Sequence, residues 1–121
     1  MRTLVVDDSR IIRNILVRTL NGMGIGEIEE AADGQEGWDA FSRCPAELVL
    51  TDWHMPHMDG LELVKRIRKI APAVPIVMIS IVDSCTWIDE AYSAGVTDFI
   101  CKPLSRETLE SRLDRILPST I

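Results

Sequence analysis

The chain has 121 residues, 46% of them hydrophobic, and a formal net charge of −6. That length suits one domain with one sizeable core, and that apolar share is enough to fill the core, which excludes a disordered chain. The acidic balance excludes nucleic-acid binding by this domain alone, because a phosphate backbone demands a basic face.

Strand-like and helix-like segments alternate along the chain. Thr3-Leu4-Val5-Val6 is short, apolar and partly β-branched, which predicts a buried strand. Ser9 can cap the helix that follows, whose apolar residues Ile12, Ile15, Leu16, Leu20 and Met23 recur at helical spacing. Asn21-Gly22-Met23-Gly24 closes that helix. Ile28 to Ala32 is a weaker, partly acidic strand and is expected near an edge. Asp33-Gly34 opens a second helix with Trp38 and Phe41 on one side, ended by Pro45.

Glu47 to Thr51 is the third strand, ending at Asp52, and the segment Trp53 to Met58 with Pro56 is a loop. Asp59-Gly60-Leu61-Glu62 resembles a capping box. Its helix is expected to turn Leu61, Val64, Ile67 and Ile70 inward. Pro75 to Ser80 is the most continuously apolar strand, and a central place in the sheet is expected for it. A helix with Trp87, Ile88, Ala91 and Tyr92 follows and stops at Gly95. Thr97 to Cys101 is the fifth strand, and Ser105 caps a last helix that buries Leu109, Leu113, Ile116 and Leu117.

Five such units predict an α/β fold with one parallel sheet, helices on both faces and right-handed crossovers. Ligand-binding side chains then lie beyond the carboxyl ends of the strands. Asp7 and Asp8 end the first apolar run, Asp52 the third and Ser80 the fourth, while Lys102 follows the fifth. On one sheet these three carboxylates, a hydroxyl and an ammonium share one crevice, a site for a divalent cation and a phosphoryl group. Read alone, Asp7-Asp8 would be a strand-end turn, Ser80 a turn cap and Lys102 a solvated lysine; their joint placement favours the site.

No apolar stretch approaches the roughly 20 residues of a membrane helix. Met1 to Val6 is too short and too soon acidic for a signal peptide. Cys44, Cys85 and Cys101 are odd in number and lack a C-x-x-C pair, so they read as reduced thiols of a cytosolic protein. Cys101 is expected to be a small packed side chain.

Val5-Val6-Asp7-Asp8-Ser9, Asp52 through Gly60 and Phe99-Ile100-Cys101-Lys102-Pro103 resemble the response-regulator receiver family, in order and at its spacing, through nearly the whole chain. Asp52-Trp53 and Met58-Asp59-Gly60-Leu61-Glu62-Leu63 are most similar to its chemotaxis members. The resemblance implies one receiver domain over residues 1–121, with a doubly wound, flavodoxin-like sheet of order 2-1-3-4-5. It implies a phosphorylatable switch of a two-component phosphorelay, not an enzyme that turns over a free substrate.

Asp52 would then accept a phosphoryl group from a histidine kinase, since a carboxylate can attack phosphorus and form an acyl phosphate. Mg²⁺ is the implied cofactor, with Asp8, Asp52 and the Trp53 backbone carbonyl as ligands and Asp7 acting through water. Lys102 would meet a phosphoryl oxygen, aimed inward by a cis bond to Pro103, and Ser80 would donate its hydroxyl. Phe99 stands where the family has its switch aromatic. Its turning inward would remodel the face of the fourth helix, fifth strand and fifth helix, where a protein target binds. Phe99 lacks the hydroxyl that a tyrosine presents there.

Two departures border the site. Ile81 stands where the family has a small residue, and its bulk is expected to hinder access. His54 stands where the chemotaxis members have Asn and, with Val82, flanks the path of the hydrolytic water; imidazole as a class can titrate near neutral pH, but a partly exposed loop histidine with no catalytic role is the favoured reading. His57 reads as loop, and a zinc site from His54, His57 and Asp59 lacks a fourth ligand. Competing readings are a receiver cut from a longer regulator, a haloacid-dehalogenase-like phosphatase, and a flavodoxin-like cofactor binder. The phosphatase class carries D-x-D after its first strand, not Asp7-Asp8. A flavin phosphate would be repelled by these carboxylates.

Overall fold

The computed structural model describes residues 1–81 and 84–117. Five strands and five helices alternate: β1 (Arg2–Val6), α1 (Arg10–Gly22), β2 (Glu27–Ala31), α2 (Gly34–Arg43), β3 (Leu48–Thr51), α3 (Gly60–Ile70), β4 (Ile76–Ser80), α4 (Cys85–Ala94), β5 (Asp98–Cys101) and α5 (Arg106–Ile116). The strands form one parallel sheet in the order β2-β1-β3-β4-β5. This is the expected doubly wound, flavodoxin-like architecture. β3, not β4, holds the middle; β4 is an interior strand between β3 and β5. β2 lies at an edge, as its polar composition predicted.

Alternation along the buried strands divides the core in two. Leu4, Val6, Val49, Ile76, Met78 and Phe99 point to the face covered by α2, α3 and α4. Val5, Leu48, Leu50, Val77, Ile79 and Ile100 point to the other, where Leu16 and Leu20 of α1 and Leu109 and Leu113 of α5 meet them. Side chains that switch sides at every residue make one apolar run serve two layers, which is why these strands read as continuously hydrophobic.

Each helix begins on a short polar side chain that accepts an otherwise unpaired amide. Ser9 accepts from the Ile12 N–H, Asp33 from Glu36, Asp59 from Glu62, Ser84 from Trp87 and Ser105 from Thr108. Gly95 ends α4 at φ 116°, in the left-handed region that a side chain disfavours.

Some expected core positions face water instead. Ile70 is 57% exposed, and Ile15, Trp87 and Tyr92 are also exposed. Helical spacing tells which residues share a stripe, not how far a neighbouring element extends over it. Cys101, the last residue of the edge strand β5, is exposed as well, so it is not the packed side chain expected. Leu117 is the C-terminal cap of α5, not part of the helix. No helix among the described residues is long and apolar enough to cross a membrane.

The start of α3 lies directly against the end of β3. An ideal Cβ on Gly60 would stand 1.9 Å from the Asp52 carbonyl oxygen. Gly60→Ala is therefore expected to lower stability by at least about 1–3 kcal/mol, the usual cost of forcing extra atoms into a packed site. A chemical-denaturation curve checks this; a wild-type midpoint in the variant would show that the two segments separate freely.

Candidate functional site

The carboxyl ends of β1, β3, β4 and β5 deliver the polar residues to one place. Asp7 and Asp8 follow β1, Asp52 follows β3, Ser80 closes β4, and Lys102 follows β5. The sheet's own hydrogen bonds extend into these residues. The Asp7 N–H donates to the Ala31 carbonyl, the Asp52 N–H to Val6, and the Lys102 N–H to Ser80 at 2.8 Å. Asp7, Asp52 and Lys102 thus leave from backbone that is still bonded to the sheet.

The Lys102 Nζ lies 3.2 Å from Asp7 Oδ2 and 3.3 Å from Asp52 Oδ2, bridging the two carboxylates. The Lys102–Pro103 peptide bond is cis, as the resemblance implied. The remaining oxygens are held by amides: Asp7 Oδ1 accepts from the Ser9 N–H at 2.8 Å, and Asp52 Oδ1 from the Trp53 N–H at 2.7 Å. Asp7, Asp52 and Ser80 are buried, whereas Asp8 is exposed.

Burial pushes the Asp7 carboxyl up from its ordinary value of 3.8, and the neighbouring Asp52 charge adds to this. The Ser9 amide and Lys102 oppose the rise without cancelling it. The Ser9 amide and Lys102 together thus leave the burial of Asp7 incompletely offset.

One ligand oxygen from each of Asp7, Asp8 and Asp52 can lie within 4.8 Å of the others. Three carboxylate oxygens, two of them buried, beside excess negative charge are a donor set that fits a hard divalent cation such as Mg²⁺. Among the described residues no other trio of His, Cys, Asp or Glu converges in this way. A site from His54, His57 and Asp59 is therefore not formed. The Trp53 carbonyl, the fourth expected donor, accepts the Gly60 N–H at 2.7 Å; its second lone pair is the one free for a ligand.

The other candidates surround this cluster. Phe99 is buried, with its ring centroid 6.5 Å from that of Trp53. It is thus already turned inward. Ile81 follows Ser80 but is 72% exposed and packs in neither core layer. Val82 lies outside the described residues. His54 is exposed and stacks on Trp53 at 5.9 Å with an interplanar angle of 19°.

Two contacts were not anticipated from the sequence. The first belongs to His57, which was read as plain loop. It adopts φ 69° and places Nδ1 2.8 Å from Asp33 Oδ2, while the Gly34 N–H donates to the Met58 carbonyl at 3.0 Å. The loop after Asp52 is thereby tied to the start of α2. The Glu36 amide, with His57 adding to it, holds the Asp33 carboxyl below its ordinary value. The second is Trp87 of α4, whose ring meets Trp53 and His54 edge-on. An apolar residue at helical spacing was the only signal for it, and that signal points to core.

The chain belongs to the family of response regulator receiver domains, whose model matches residues 3–114. Within that family it is of the CheY type. It is 38% identical to a chemotaxis protein CheY homolog of Campylobacter jejuni over 120 residues, covering 97% of this chain and 92% of the relative. It is 36% identical to the chemotaxis protein CheY1 of Helicobacter pylori, covering 97% of both. The chemotaxis protein CheY4 of Vibrio cholerae superposes with a TM-score of 0.89 at 35% identity, covering 96% of this chain and 98% of that one. A CheY from Borrelia burgdorferi, solved in complex with CheX, BeF₃ and Mg²⁺, gives 0.89 at 26% identity, covering 98% and 90%. Domains of this type are signalling proteins, not enzymes that turn over a free substrate.

The raised value of Asp7 fixes the sign of a pH effect. Below 3.8 its carboxyl is protonated in both the folded and the unfolded chain. As pH rises through the higher folded value, the fold must release a proton that it holds more tightly than the unfolded chain does. Asp7 therefore costs stability as pH climbs above 3.8. Asp33, with its depressed value, acts in the opposite window: it stabilises above 3.8 and loses that effect as pH falls. Denaturation at a series of pH values in chelator is expected to show Asp7→Asn more stable than wild type at neutral pH, with the gap closing toward acid. A gap independent of pH would show that Asp7 is not the group responsible.

Proposed function

We propose that residues 1–121 act as one cytoplasmic receiver domain that takes a phosphoryl group on Asp52 from a histidine kinase. The observation that carries this reading is the bridge from Lys102 Nζ to Asp7 and Asp52 at 3.2 and 3.3 Å, at the shared strand edge. It supports one ammonium poised to pass from two carboxylates to an incoming phosphoryl oxygen.

Asp52 Oδ1 is held by the Trp53 amide, which leaves Oδ2, now facing Lys102, as the oxygen that attacks phosphorus. The bond that forms is Oδ2–P, and the bond that breaks joins phosphorus to the donor's imidazole nitrogen, which keeps the electron pair. Lys102 offers its charge to the transferred group, and Ser80 its hydroxyl from the end of β4. Asp8 and Asp52, with the Trp53 carbonyl and with Asp7 through water, would hold Mg²⁺. When bound, the cation supplies positive charge that offsets the carboxylates and polarises the phosphoryl oxygens.

The change is then read elsewhere. Drawing Ser80 toward the phosphoryl group shifts β4, whose Met78 is paired with Phe99 of β5. The proposed readout face is formed by α4, β5 and α5, and its target is a protein. It is already cross-linked: the Tyr92 hydroxyl donates to Asp98 Oδ1 at 3.2 Å, and Arg112 Nη1 donates to the same oxygen at 2.7 Å. A two-state equilibrium biased at Asp52 and expressed on this face is the physical content of the switch.

Incubation with acetyl phosphate and Mg²⁺ is expected to add the mass of one phosphoryl group, and Asp52→Asn to abolish the addition. Mg²⁺ at about 100 times its Kd should stabilise the fold by about 2.7 kcal/mol, a shift of several degrees in Tm, because it binds the folded chain alone. Asp8→Ala should remove most of that shift. A phosphoryl adduct that survives Asp52→Asn, or a Mg²⁺ shift that survives Asp8→Ala, would count against the assignment.

A further inference from the structure

α4 is the least embedded helix of the fold. Ala91 is its single buried residue, whereas α3 buries Gly60, Leu61, Leu63, Val64 and Ile67. Ile88 and Ala94 add partial cover against the core layer. At its far end the Gly95 carbonyl accepts from Arg68 Nε at 2.7 Å. Its first turn has a different attachment, the ring of Trp87.

That ring is 43% exposed, so more than half of its surface is covered. Its ring partners are Trp53, at 5.2 Å and 80°, and His54, at 6.2 Å and 74°. Both belong to the segment that directly follows Asp52. Edge-to-face geometry at these distances is the favourable arrangement of two aromatic rings. Trp53 in turn donates its backbone N–H to the Asp52 carboxylate at 2.7 Å. A route of direct contacts therefore runs from the first turn of α4, through one indole and the adjoining backbone, to the carboxylate itself.

We propose that Trp87 is a positioning residue of the Asp52 site. By pinning Trp53 and His54 edge-on it keeps the mouth beside Asp52 covered, and so sets how long a phosphoryl group there survives. The inference rests on Asp52 being the phosphoryl acceptor. In the step it controls, a water oxygen attacks phosphorus, the bond from phosphorus to Asp52 Oδ2 breaks, and the carboxylate leaves with the electron pair. Both protons of the water stay on the phosphate, which leaves as dihydrogen phosphate. Without Trp87 the flank of Trp53 opens, and His54, already exposed, retains one ring partner in place of two. Water then reaches the phosphorus more readily.

The test is the decay of the adduct in the full chain, charged with acetyl phosphate and Mg²⁺ and then freed of donor. Trp87→Ala is expected to shorten the lifetime about 2- to 10-fold, the factor equivalent to one aromatic pair. Trp87→Phe keeps a ring edge and should stay within about 2-fold of wild type. Trp87→Leu keeps apolar bulk on α4 without an aromatic edge and should decay like Trp87→Ala. In a His54→Ala background, Trp87→Ala should add little, since both changes strip the same cover.

Melting temperatures recorded beside the decay separate lost stability from lost positioning. If Trp87→Ala does not fold, the Leu and Phe variants carry the comparison. Wild-type lifetimes in Trp87→Leu, or fully independent effects of Trp87 and His54, would overturn the inference while leaving Asp52 as acceptor intact. An absence of any adduct on wild-type Asp52 would overturn both.

Discussion

Asp7 and Asp52 are both buried carboxyl side chains on neighbouring strand ends, and one ammonium bridges them. Neither carboxylate can move apart from the other, because each continues the ladder of the strand before it. β1 and β3 are adjacent and parallel, so their ends coincide, and the register pairs Val6 with Thr51 immediately before the two acids. The fold therefore imposes the repulsion, and Lys102 only moderates it. A site that keeps Asp7 above its ordinary value in this way is poised to gain from any added positive charge.

The rest of the molecule is arranged to keep that cluster from relaxing. Gly60 lets α3 begin against the Asp52 carbonyl, while its own N–H takes the Trp53 carbonyl. His57 and Met58 anchor the far side of the same loop to the start of α2 through Asp33 and Gly34. The loop after Asp52 is thus held at both ends, by groups that have nothing to do with charge at the site. Pre-organised oxygens of this kind need little rearrangement when a ligand arrives, which is the benefit of placing them on a rigid frame.

Much of this was legible in the residues. Apolar runs that end in Asp7-Asp8, Asp52 and Ser80 specify strands whose ends carry chemistry, and parallel order follows from the helices between them. Ser9, Asp59 and Ser105 announce their helices because a cap is a local device spanning three residues. The order of the strands was not legible in this way: β3 and β4 are both buried and apolar, and only the family resemblance separated their places. Exposure at Ile70, Trp87 and Tyr92 was hidden for a related reason, since a stripe repeats identically whether or not a partner covers it. The contact between Trp53 and Trp87 depends on where α4 settles, and that is decided by tertiary packing. His57 was hidden by its backbone: a left-handed conformation at a non-glycine residue has no reliable sequence mark.

The uneven hold on α4 follows from the same economy of burial. A helix secured by Ala91, partial cover from Ile88 and Ala94, the Tyr92 hydroxyl on Asp98, one carbonyl on Arg68 and one indole has little burial opposing a shift of its first turn. α3, with five buried residues, has a great deal. The two helices flank each other on one face of the sheet, so a disturbance at the strand ends is expected to pass into α4 and leave α3 in place. Arg68 sharpens the asymmetry, because it also grips the Ala71 and Val74 carbonyls at the base of α3 and fixes the end of α4 next to Gly95. Motion of α4 would then be a pivot about its C-terminal end, greatest at the turn that carries Trp87. Among the described helices, the one with the fewest buried residues is the one in ring contact with the residue beside Asp52.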